Sequence, residues 1–194
     1  PKNVVVGATL PRPARVREDV SDRFEGSTLD PVWVPTLHEG NAGVYLLGGR
    51  LCIQGAAYGY AHVRRELPTG VNSIQCMIGR QPSGSSDELG GSLFLWWPNG
   101  QYVQATPGFN AGKFLAVASN TGRGVGGVVN RDCVFGWYPY AFNWVKIVLK
   151  PETIEFHASS DGAVWTKYWE VPRGTKFAGP PQYAILGKGC PGEK

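Results

Sequence analysis

Turn residues interrupt this chain at roughly ten-residue spacing, and the apolar runs between them are short. No stretch repeats apolar residues at the period of an amphipathic helix. A chain divided in this way buries a core by laying short strands side by side. The composition agrees. Gly 27 and Pro 15 supply turns, and charged residues are 18%, which leaves few of the Glu-, Lys- and Ala-rich windows that favour helices.

The clearest strand pair is Ile154 to Trp169. Ile154, Phe156 and Ala158 alternate with Glu155, His157 and Ser159, the two-residue period of a half-buried strand. Asp161-Gly162 then predicts a tight turn, because Gly accepts a positive φ and Asp bonds to its own backbone. Trp165, Tyr168 and Trp169 give the returning strand a large apolar area. Here Asp161-Gly162 sets the register and Trp165 fills core, so valine at Gly162 is expected to damage folding.

Other strands follow by the same reasoning. Val44 to Leu47, the Gly48-Gly49 turn and Arg50 to Gln54 read as strand, turn, strand. Ala61 to Leu67 and Asn72 to Arg80 are strands. Ser92 to Trp97 (SLFLWW) is apolar throughout, the pattern of a strand covered on both faces. Pro98-Asn99-Gly100 turns it into Gln101 to Ala105. Lys113 to Ser119, Asn143 to Lys150 and Gln182 to Leu186 complete the set. Loops are expected over Thr36 to Gly43, Gln81 to Gly91, Asn120 to Asp132 and Val134 to Tyr140. About a dozen short strands without a helix predict an all-β, two-sheet antiparallel jelly-roll sandwich.

The chain has 194 residues, enough to bury one full core. Residues 1–20 carry three prolines and three arginines and read as a lead-in or linker segment; 21–194 reads as the sandwich domain. The net charge is +4, but the basic residues are scattered and form no stripe, which argues against nucleic acid as partner. No apolar run reaches the roughly 18 residues of a membrane span, so membrane insertion is not expected. No signal peptide is visible at Pro1-Lys2, which suits a mature protein or an excised domain. The cysteines, Cys52, Cys76, Cys133 and Cys190, match no CxxC metal spacing. Cys76 is in phase with Ile74 and Ile78 and reads as a small buried thiol. Cys133 and Cys190 sit in turn-rich segments where an oxidising compartment would allow pairing, and three full connectivities stay open.

A set of ordered motifs narrows the fold. Asp22-x-Phe24, Leu29-Asp30-x-x-Trp33, Gly49-x-Leu51-x-Ile53, Trp144-x-x-Ile147 and Ser159-x-Asp161-Gly162-x-x-Trp165 together resemble the concanavalin A-like lectin/glucanase superfamily, and more narrowly its laminin-G-like jelly-roll modules. The resemblance runs from about residue 21 to about residue 188. It implies two stacked curved sheets with a concave face, glycan binding on that face or along one edge, and an extracellular setting, secreted or at the cell surface, within a larger protein. Relatives include glycosidases, polysaccharide lyases and protein-binding domains, and several hold a structural calcium. Asp22 is the candidate calcium ligand, with turn capping as its competing role.

Catalytic signatures of that fold are missing or incomplete. A retaining glucanase of this fold carries Glu-x-Asp-x-x-Glu on one strand, which brings two carboxylates to one face; no such run occurs. The one adjacent acid pair, Asp87-Glu88, lies in a loop. Jelly-roll lyases need an Arg-rich strand, a Gln-x-His strand and a late Tyr. His62 to Leu67 and Gly100 to Gln104 echo two of these pieces, leaving His62 with Tyr102 as the base pair to test. His38 and His157 show no evident partner.

Aromatics are 12% of the chain, with 7 Trp, and sugar rings present apolar C–H faces to such side chains. Core packing claims most of them. The loop group Trp137, Tyr138 and Tyr140 is the first candidate for ligand stacking, Tyr58 and Tyr60 the second, and Trp97 (or its neighbour Trp96) with Tyr102 the third. Gln104, Arg64, Gln101, Asn110 and Asn130 are the polar neighbours expected to bond sugar hydroxyls. The expected function is therefore a non-catalytic, lectin-like carbohydrate-binding module for a poly- or oligosaccharide. The alternatives are a lyase or glycosidase of the same fold, and a protein-binding adhesion or structural domain.

Overall fold

The computed structural model describes residues 21–37, 43–54, 61–78, 91–108, 114–120, 129–136 and 144–188; over 107–108, 114–120, 129–136 and at 188 it describes the backbone alone. Every assigned regular element is a β-strand. In chain order they are β1 (Val34–Leu37), β2 (Gly43–Leu46), β3 (Leu51–Gln54), β4 (Ala61–Glu66), β5 (Ser73–Met77), β6 (Ser92–Trp96), β7 (Tyr102–Gly108), β8 (Phe114–Asn120), β9 (Val129–Gly136), β10 (Trp144–Leu149), β11 (Thr153–Ser159), β12 (Thr166–Pro172) and β13 (Tyr183–Lys188).

They form a seven-stranded sheet in the order β1-β4-β13-β6-β7-β8-β9, a four-stranded sheet β12-β11-β10-β5, and the separate hairpin β2-β3. All pairings are antiparallel. The two larger sheets meet through Leu93, Leu95, Trp97, Val103 and Ala105 on one side and Val145, Ile147, Ile154, Phe156, Ala158 and Val171 on the other. These residues alternate along their strands, as a sandwich core requires. The architecture is the expected all-β, two-sheet jelly-roll sandwich.

The hairpin β11-β12 edges the smaller sheet, but its turn differs from expectation. The strands end at Ser159 and resume at Thr166, so the connection is not a two-residue turn. Side chains close it instead. Ser159 Oγ accepts the N–H groups of Asp161 and Gly162 at 3.2 and 2.9 Å. Asp161 Oδ1 accepts those of Ala163 and Val164 at 2.8 and 2.9 Å. These bonds hold the Asp161 carboxyl below its usual titration range. Trp165 is half-buried rather than core: its Nε1 donates to Gly162 O at 3.0 Å, and Lys146 Nζ lies 4.0 Å from its ring centroid. Gly162 has φ 75°, and a Cβ there would come within 2.9 Å of the Trp144 indole. Gly162→Val therefore adds backbone strain to a ring clash. A melting temperature lowered by about 5 °C or more in thermal unfolding is the expected result.

Three expected loops contain strand. Val34–Leu37, whose end enters the first, pairs with β4, and β9 runs from Val129 to Gly136, through the end of the second and the start of the third. Neither segment has a strong strand pattern of its own. Each is extended because a neighbouring strand offers its edge. In β9 the pairing skips at Asp132: Arg131 faces Ala118 and Cys133 faces Val117. The extra residue is a β-bulge.

Candidate functional site

The seven-stranded sheet has a second face, turned away from the four-stranded sheet. Cross-strand register places residues on it in rows. The first runs Glu66, Tyr183, Trp96 and Tyr102. The second runs Val34, Arg64, Ile185, Phe94, Gln104, Ala118 and Arg131. The third starts Thr36, His62, Gly187 and Ser92.

The first row is an aromatic band. Trp96 and Tyr102 stack with centroids 6.0 Å apart and planes 3° from parallel, and Phe94 meets Tyr102 at 5.9 Å. Tyr102 is 2% exposed, while Trp96 and Tyr183 are half-buried and keep part of their rings open. Arg64 is exposed, its guanidinium carbon 5.0 Å from the Tyr183 ring centroid.

Beside the aromatics lies a buried polar group. Gln104 Nε2 donates to Ser92 Oγ at 2.9 Å and to Thr106 Oγ1 at 2.7 Å, and the two hydroxyls are 2.7 Å apart. His62 is also buried here. Burial, with the nearby Arg64 charge second, pulls its imidazole down to a pKa of about 4, so it is neutral at pH 7.

The structure sorts the expected site residues. Arg64, Tyr102 and Gln104 share the outward face. Trp97 does not. It is fully buried, its ring 5.0 Å from Phe177 and its Nε1 donating to Gly179 O at 3.1 Å. Adjacent strand residues point to opposite faces, so Trp96 takes the outward position. Trp137, Tyr138, Tyr140, Tyr58 and Tyr60 lie outside the described residues, as do Asn110, His38, Cys190 and the side chains of Asn130 and Cys133. Tyr183, at the heart of the aromatic row, was not among the expected residues. The polar alternation of Gln104 and Thr106 with Val103 and Ala105 is the local signal that marks this face.

Both carboxylate oxygens of Asp22 are engaged by N–H donors, which fits its capping role. Its Oδ1 accepts Phe24 N at 2.6 Å and its Oδ2 accepts Trp33 Nε1 at 2.7 Å. Among the described residues no group of three or more His, Cys, Asp or Glu side chains is placed to hold a metal. Asp22 caps its turn and anchors Trp33, against which Phe24 packs at 5.6 Å.

His62 and Tyr102 cannot share a proton. β4 and β7 are three strand spacings apart and the residues sit about four positions apart along the strands, a separation of about 19 Å. His157 does have a partner: its Nε2 lies 3.0 Å from Glu155 Oε2, on the four-stranded sheet. Burial outweighs that carboxylate and lowers its pKa. Cys52 and Cys76 are free thiols, and burial pushes Cys76 up to about 12.

The fold is a two-sheet jelly-roll sandwich, and the face of its larger sheet turned away from the smaller one carries a half-open aromatic row beside buried polar groups. Solved structures similar to this chain include part of a mutant of the GH43 protein BlXynB from Bacillus licheniformis, with TM-score 0.60 and 15% identity, covering 92% of this chain and 37% of that one. They also include the catalytic domain of an endo-1,3-β-glucanase (laminarinase) from Thermotoga petrophila, with TM-score 0.59 and 11% identity, covering 87% of this chain and 84% of that one. The laminarinase catalytic domain from Thermotoga maritima matches with TM-score 0.54 and 11% identity over 87% of this chain and 85% of its own. At such identities the likeness is one of fold. No protein-family model and no curated protein matches the chain.

Proposed function

We propose that this chain is a non-catalytic carbohydrate-binding module of a secreted or cell-surface protein, taking a poly- or oligosaccharide across the outward face of the seven-stranded sheet. Trp96 and Tyr183 offer ring faces to sugar C–H surfaces, Tyr102 backs Trp96, and Arg64 and the exposed Gln182 supply hydrogen bonds at the margin.

The observation that carries this reading is the distribution of acids. The seven strands of this sheet hold two carboxylates, Glu66 on β4 and Asp132 on β9. Five strand spacings separate them, about 24 Å along the sheet. Glycosidase carboxylates work at roughly 5–10 Å. The described strands of this face thus present rings and no paired acid and base, the arrangement of a surface that binds sugar without cleaving it.

A glycosidase of the same fold is the competing reading, favoured by the laminarinase catalytic domains among the structural neighbours. A glycan array run beside reducing-end and unsaturated-product assays separates the two. Binding without product supports the module. Release of reducing ends or unsaturated sugars refutes it.

A further inference from the structure

Resting on the reading of this face as a glycan site, we propose that its ligand is an anionic saccharide, bound through Arg64.

Among the described side chains of this face, Arg64 is the cation presented to solvent; Arg131, in the same row, is described by its backbone alone. Arg64 is exposed, and none of the ion pairs among the described residues involves it. Its place over the Tyr183 ring limits its rotamers without satisfying its N–H donors. A guanidinium ordered in this way has its fork free for a carboxylate or sulfate at the edge of the aromatic row. His62, its neighbour on β4, is neutral and does not compete for the anion. A net charge of +4 adds long-range attraction for a negatively charged polymer.

Glu66 restricts where the anion sits. It pairs across the strands with Tyr183, whereas Arg64 pairs with Ile185 on one side and Val34 on the other. The guanidinium leans over Tyr183, so the negative group lies beside that ring on the side away from Glu66, with the sugar ring extending toward Trp96.

The test uses polygalacturonate against its fully methyl-esterified form, and dextran sulfate against dextran, by titration calorimetry at about 50 and about 500 mM NaCl. Tighter binding of an anionic form, weakened by salt, is expected. Preference for polygalacturonate alone identifies carboxylate as the anion, and preference for dextran sulfate alone identifies sulfate. R64Q reduces the anionic-to-neutral preference by roughly tenfold. R64K, which keeps the charge and loses the fork, falls between the two, and E66Q strengthens anionic binding. Melting temperatures of the three variants check that each is folded. Equal binding of charged and neutral forms, or a preference that survives R64Q, overturns this inference while leaving glycan binding in place. No binding in any arm and none on a neutral glycan array removes the glycan site as well.

Discussion

Gly187→Ala destroys the folded state or lowers its melting temperature by about 10 °C, although it adds a single methyl group. Gly187 lies in β13, between β4 and β6, opposite His62 on one side and Ser92 on the other. Its φ is 148°, and a Cβ would run into Ala61 O and come within 2.6 Å of the His62 Cα. Those atoms are backbone or bound to it, so neither yields by a rotamer change. Relief requires β4 and β13 to part, and that breaks the ladder in the middle of the larger sheet. A cost of about 3–5 kcal/mol is expected. Gly179→Ala is the control. It also has positive φ, at 72°, but a Cβ there meets nothing within 4 Å, so only about 1 kcal/mol is at stake. Thermal unfolding followed by circular dichroism compares the pair. Equal melting temperatures for the two variants would show that the β4–β13 approach is not close.

The adjacent tryptophans give opposite phenotypes. Trp96→Ala removes a half-open ring from the aromatic row and, on the proposed reading, the platform for glycan. Loss of a central aromatic anchor costs about 2 kcal/mol or more, a weakening of roughly thirtyfold. Some packing against Tyr102 is lost too, at about 1 kcal/mol. Trp97→Ala instead empties a fully buried site beside Phe177 and removes the bond to Gly179 O. Its cost falls on stability, at about 3–5 kcal/mol. Calorimetric titration and thermal unfolding of both variants separate the effects. A Trp96→Ala protein that binds glycan as the parent does would remove the outward face from the account.

What was legible in the sequence follows from which interactions are local. The Gly48-Gly49 and Pro98-Asn99-Gly100 turns are encoded within a few residues. Gly48, Gly49 and Gly100 all adopt the positive φ expected of such turns. Alternation along Ile154 to Ala158 likewise revealed its own burial. The facing of SLFLWW is not local, because both faces of that strand are apolar. One points at the opposite sheet and the other at the aromatic row, so parity alone cannot choose between Trp96 and Trp97. Tyr183 was missed for a topological reason: the last strand inserts between β4 and β6, and nothing near Tyr183 reports neighbours more than eighty residues away. Strand character in Asn130-Arg131-Asp132 comes from β8, not from these residues. Asp161-Gly162 signalled a turn correctly, but the Ser159 and Asp161 side chains build a longer one than that pair alone requires.

The central claim is that glycan lies on the outward face of the seven-stranded sheet. Indole N–H resonances, assigned by single Trp→Phe substitutions, locate it directly by nuclear magnetic resonance during titration with the tightest-binding glycan. The account predicts that Trp96 shifts in a saturable way while Trp144 and Trp165, on the smaller sheet and its loop, stay in place. Movement of Trp144 and Trp165 with Trp96 unperturbed would contradict it.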